Sequence, residues 1–113
     1  MSLESSLEMT ANGVAKITLS GTLDAGTAPE FQQLIEQAVE NKSKRLVLLL
    51  GGVTFMASSG LRMLVFAKQK LGSEVDIYVI EAQEQVVETI NMTGLNYSVI
   101  MLDSYDAAAV ETI

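Results

Sequence analysis

The chain has 113 residues, 49% hydrophobic and 19% charged, with a net charge of −7, which fits one folded domain with its own core. Its basic residues are scattered, with Lys42, Lys44 and Arg45 the only cluster, so neither nucleic acid nor an anionic membrane is expected as a direct partner. The absence of cysteine and histidine excludes disulfides, thiolate catalysis and the commonest general base and metal ligands, so no metal and no cofactor are expected.

Leu7 to Met9 alternates apolar and polar, Asn12-Gly13 is a tight-turn dipeptide, and Val14, Ile17 and Leu19 follow in a β-branched stretch. This pattern predicts a β-hairpin. Ser20 to Asp24 breaks the pattern and reads as a loop. A helix is expected from about Thr27, with Pro29 in its first turn and Glu30 completing a capping box with Thr27. Phe31, Leu34, Ile35, Ala38 and Val39 then repeat on one helical face up to Asn41.

Leu46 to Leu50 is continuously apolar, as in a strand buried on both faces, and Gly51-Gly52 ends the run. Val53 to Met56 leads into Ala57-Ser58-Ser59-Gly60, after which an apolar-periodic helix is expected over Leu61 to Leu71, with Gly72 after its end. A hydroxyl just ahead of such a run reads as a helix cap, so Ser58 and Ser59 have a purely structural reading. It is also a place where a phosphate is electrostatically favoured. Val75 to Ile80 reads as a strand, Gln85 to Met92 as a helix stopped by Gly94, and Tyr97 to Leu102 as a last strand. Asp103-Ser104 is placed to cap a final helix, Tyr105 to Thr112.

The order β-β-α-β-α-β-α-β-α predicts an opening hairpin followed by parallel crossovers. Catalytic signatures are missing: there is no P-loop, and Gly51-Gly52 lacks the third glycine of a dinucleotide fingerprint. No pair of carboxylates sits in contrasting environments that would part their pKa values. The chain is therefore not expected to be an enzyme. Met56, Met63 and Phe66 are candidates for an adaptable docking patch, against the plainer reading that they cover core. Asp24 reads from spacing alone as a turn aspartate. No apolar run reaches membrane-spanning length, and Met1 to Glu4 lacks signal-peptide character, so a cytoplasmic location is the default expectation.

Three ordered motifs resemble the STAS domains of the anti-sigma factor antagonist (anti-anti-sigma factor) family. Leu19-Ser20-Gly21-Thr22-Leu23-Asp24 is similar to its L-x-G-x-L-D. Phe55-Met56-Ala57-Ser58-Ser59-Gly60-Leu61 is similar to its F-x-D-S-S-G-L, and Met92-Thr93-Gly94-Leu95 to its M-S-G-L. The resemblance covers essentially the whole chain, so a single α/β domain over residues 1–113 is expected. It implies a small mixed β-sheet of about five strands with about four helices packed mainly on one side.

The resemblance also implies a function. The unphosphorylated antagonist binds an anti-sigma factor that is also its serine kinase, and so frees a sigma factor for transcription. Phosphorylation blocks the binding, and a PP2C-type phosphatase restores it. Carried over by position, Ser58 is the phosphoacceptor, with Asp24, Met56, Ala57, Ser59 and Gly60 supporting the site or contacting the partner. The chain departs from the pattern at Ala57, where the family has Asp. That departure keeps open a second reading, a non-switching STAS scaffold or ligand-sensing domain in which Ser58 is only a cap.

Overall fold

The computed structural model describes residues 3–105. Its elements run β1 (Leu3–Met9), β2 (Val14–Leu23), α1 (Ala28–Glu40), β3 (Arg45–Met56), α2 (Ser58–Leu71), β4 (Asp76–Ile80), α3 (Glu84–Met92), a 3-10 turn (Leu95–Tyr97) and β5 (Ile100–Leu102). The strands lie in the order β1-β2-β3-β4-β5. The β1–β2 hairpin is antiparallel, and every later pair is parallel. The hairpin turns at Gly13, whose φ of 81° is one that glycine adopts without a Cβ penalty.

All three α-helices cover one face of the sheet. Phe31, Ile35 and Ala38 of α1, Leu64 and Ala67 of α2, and Val86 and Ile90 of α3 pack with Ile17, Leu19, Leu46, Leu48, Leu50, Ile77 and Val79 into one core. Each large side chain fully buried there contributes about 1.5–3 kcal/mol of transfer free energy. A smaller cluster of Val14, Val47, Tyr78 and Ile80 lies on the opposite face, with Leu49, Leu102 and Tyr105 against it. With apolar cover on both faces, β3 and β4 lose the alternation of a half-solvated strand, as their sequences suggest.

Several expectations change. Ser20 to Leu23 is strand, not loop, because β3 continues beside it; Ser20 pairs with Gly52 and Leu23 with Met56. β3 likewise runs through Gly51-Gly52 to Met56 instead of stopping at Leu50. The parallel pairing absorbs the glycines through two register shifts, between Thr18 and Ser20 and between Gly21 and Thr22. The Thr27–Glu30 capping box does not form: Thr27 is the N-cap but makes no side-chain cap bond, and the Glu30 carboxylate instead accepts from Ser5 Oγ at 3.0 Å. The last strand is shorter than expected, since Tyr97 belongs to the 3-10 turn. The described residues thus hold three α-helices rather than four; the helix expected over 105–112 lies outside them apart from Tyr105, which is not helical.

Candidate functional site

The site lies where β2 and β3 end together. Leu23 pairs with Met56, and the Ala57 N–H donates to the Leu23 carbonyl at 2.9 Å. Because the strands are parallel, Asp24 and Ala57-Ser58 leave the same end of the sheet side by side. Loops at the carboxyl ends of parallel strands are the usual place for binding groups in such sheets.

Asp24 is tied into the turn that starts α1. Its Oδ1 accepts from the N–H groups of Gly26 at 2.9 Å and Thr27 at 3.1 Å. Its own N–H donates to Thr27 Oγ1 at 2.9 Å, and that hydroxyl donates to the Thr22 carbonyl at 2.8 Å. The side chain is half-buried. Asp24 thus fixes the turn that leads into α1, ahead of the helix itself.

The start of α2 differs from the expected cap. Ala57 is the N-cap, extended at φ −89° and ψ 175°, and has no side-chain oxygen to offer. The bond from Ala57 N–H to Leu23 keeps the backbone extended through Ala57, so Ser58 and Ser59 fall inside the helix as its first two residues. Ala57 contributes its carbonyl, which accepts from Gly60 N–H at 2.9 Å and Leu61 N–H at 3.4 Å. Neither serine side chain makes a hydrogen bond among the described residues; Ser58 is exposed and Ser59 half-buried. The backbone N–H groups of both serines belong to the first helical turn, where no intrahelical acceptor exists. That turn carries no acidic residue, while Lys68 and Lys70 lie in the last turn. Ser58 is therefore a free hydroxyl on a rigid helix start.

Two of the expected support residues act from beneath. Gly60 is buried, and a Cβ there would come within 2.8 Å of Met56 Cγ and 2.9 Å of Leu23 Cδ2. Met56 is only 1% exposed, so it braces the helix start from the core and is not part of a docking surface. Met63 and Phe66 are partly buried against the same core, which leaves the plainer reading of that trio. The exposed apolar side chain beside the site is Phe55, at 45%.

Gln85, at the start of α3, is a site residue that sequence reasoning missed. The Met56 N–H donates to Gln85 Oε1 at 3.0 Å, and Gln85 Nε2 donates to Thr89 Oγ1 at 2.9 Å. Its four-residue spacing from Thr89 is the signal that marks it as a held rather than a solvated amide. A shallow groove lined by Glu36, Val39, Glu40 and Lys70 lies toward the far end of α2 and takes no part. Among the described residues no cluster of acidic side chains could hold a metal, and no helix is long and apolar enough to cross a membrane.

Comparison with known proteins gives four concordant findings. The model of the STAS domain matches residues 9–108. The anti-sigma-F factor antagonist RsfB of Mycobacterium tuberculosis is 31% identical over 85 residues, spanning 75% of this chain and 70% of the relative. An anti-sigma factor antagonist from Mycobacterium paratuberculosis superposes with a TM-score of 0.87 at 31% identity, covering 96% of this chain and 94% of the other. The Bacillus cell fate determinant SpoIIAA in its phosphorylated form shares the fold, with a TM-score of 0.73 at 19% identity over 95% of this chain and 96% of its own.

Proposed function

The chain belongs to the STAS domain family, and from that premise we propose that it is an anti-sigma factor antagonist whose binding is controlled by phosphorylation of Ser58. Unphosphorylated, it binds an anti-sigma factor that is also a serine kinase, and so releases a sigma factor. Phosphorylated, it lets the partner go, and a PP2C-type phosphatase resets it. The relatives named as anti-sigma factor antagonists support the binding half of this reading. The observation that carries the switching half is the exposed Ser58 hydroxyl, free of hydrogen bonds, on the first residue of α2 and next to the Asp24 turn.

A phosphate adds roughly −1.5 to −2 charge at neutral pH. At the first turn of α2 that charge meets the positive end of the helix dipole, so it is accommodated by the domain. Its effect falls on the partner, through bulk and through the desolvation of a doubly charged group pressed against another surface. Asp24 and Ser59 flank the acceptor, Gly60 and Met56 hold it from below, and Ala57 sets where the helix begins.

Ala57 favours a second reading. Without a side-chain cap or an acidic neighbour, Ser58 lacks one feature of the family pattern, as a non-switching scaffold would. Incubation with the partner kinase and Mg-ATP separates the two. A single added phosphate by intact mass, lost in Ser58→Ala, supports the switch. No phosphate from a kinase active on its other substrates supports the scaffold.

A further inference from the structure

β4 ends at Ile80, opposite Leu49, but β3 continues to Met56. From Leu50 onward β3 has a strand, β2, on one side only. On the other side the chain turns away at Glu81, whose φ of 61° is unusual for a residue with a Cβ. Two side-chain amides from the approach to α3 occupy the gap. Gln83 Nε2 donates to the Gly51 carbonyl at 2.8 Å. Gln85 meets both backbone polar groups of Met56, accepting from its N–H at 3.0 Å and donating to its carbonyl at 3.5 Å. The Gln85 amide is itself held, because Thr89 Oγ1 accepts from Nε2 at 2.9 Å and donates to the Gln85 carbonyl at 2.8 Å. Beyond this point the chain runs directly into Ala57, gripped from the opposite side by the Leu23 carbonyl at 2.9 Å.

We propose that Gln85 is a positioning residue for Ser58: its carboxamide stands in for the missing strand, clamps the backbone of Met56 on both sides of its Cα, and so makes the start of α3 part of the phosphorylation switch. This rests on the reading of Ser58 as phosphoacceptor. The clamp works by geometry. Ser58 lies two residues beyond Met56, and between the Gln85 and Leu23 bonds the chain has little freedom to swing. A kinase that must bring a hydroxyl in line with a nucleotide gains from an acceptor already fixed, and a misplacement of about 1 Å can cost on the order of a hundredfold in rate. Gln85 touches no reacting atom in this account.

The test uses the full chain, labelled with 15N, as wild type, Gln85→Leu and Gln85→Glu. Gln85→Leu removes both bonds to Met56; Gln85→Glu keeps the acceptor for the Met56 N–H. The amide exchange rate of Met56 is expected to rise at least about tenfold in Gln85→Leu and to stay near wild type in Gln85→Glu, with the exchange of β4 amides unchanged in both. In phosphorylation by the partner kinase with Mg-ATP, Gln85→Leu is expected to lower kcat/KM at least about tenfold, and Gln85→Glu to restore most of it. Met56 exchange within about twofold of wild type in Gln85→Leu overturns the clamp. So does fast exchange with unaltered phosphorylation kinetics. If wild type itself takes no phosphate, the switch reading fails, and with it the assignment of Gln85 to that switch; the exchange data then report only a structural bond.

Discussion

Replacing Gly60 by alanine tests how tightly the start of α2 is built. A Cβ at this position would lie 2.8 Å from Met56 Cγ, 2.9 Å from Leu23 Cδ2 and 3.0 Å from Leu23 Cγ, all inside ordinary contact distance. Neither neighbour can swing into solvent, because Leu23 is 0% and Met56 1% exposed. The added methyl must therefore push α2 away from the β2–β3 end or force both side chains off their rotamers. Overpacking of this kind costs about 1–3 kcal/mol. Helix propensity acts the other way, since alanine is favoured over glycine by up to about 1 kcal/mol. The net expectation is a loss of about 1–2 kcal/mol, or a Tm lower by roughly 4–8 °C for a domain of this size. Thermal unfolding followed by far-ultraviolet circular dichroism reads the change. An unchanged or raised Tm in Gly60→Ala would mean that the Leu23 and Met56 side chains yield at little cost and that helix propensity decides the balance. Displacement of α2 also moves Ser58, so partner binding should weaken more than the stability loss alone accounts for.

Two further substitutions probe the same end of the sheet. Ala57→Asp supplies the missing cap oxygen and an acidic group beside the helix start, and should raise stability by about 0.5–1 kcal/mol in urea or thermal unfolding; no gain would show that the N–H groups of this turn are already satisfied. Asp24→Ala removes the acceptor for the Gly26 and Thr27 N–H groups and should cost about 1 kcal/mol. Asp24→Asn keeps an acceptor oxygen and should recover most of that stability, so a binding defect shared by both variants would place the Asp24 charge at the partner surface.

The elements most legible in the sequence are those whose pattern is local. The face of Phe31, Ile35 and Ala38 shows α1 directly, and the unbroken Leu46 to Leu50 run shows a strand covered on both sides. Features set by neighbours distant in the chain were harder to read. Gly51-Gly52 looks like the end of a strand, because glycine is poor in strands taken alone; pairing with Ser20 and its neighbours on β2 carries β3 past it. The same pairing turns the expected loop before Asp24 into strand. Ser58 sits ahead of an apolar helix as a cap residue would, yet the bond from Ala57 to Leu23, 34 positions earlier, makes Ala57 the cap and starts the helix at Ser58 instead of Leu61. Met56 counts as a docking candidate by residue type, and only the close approach of Gly60 shows that it faces inward. Gln85 is the extreme case, a polar residue on an amphipathic helix whose partner lies 29 residues away. The family motifs, by contrast, come together in the fold, because β2 and β3 end side by side and Leu23-Asp24 and Ser58-Ser59-Gly60 leave the sheet at one end.

On the proposed function, a phosphate on Ser58 decides whether the partner binds. Calorimetric titration of the purified anti-sigma factor partner with the unmodified chain and with the Ser58-phosphorylated chain tests it most directly, at low and at high salt. The unmodified chain is expected to bind, and the phosphorylated one to bind at least about a hundredfold more weakly, a difference of about 2.7 kcal/mol that persists at high salt if the block is local and steric. Equal affinities for the two forms would contradict the switch, and recovery of full binding by the phosphorylated chain at high salt would contradict its steric basis.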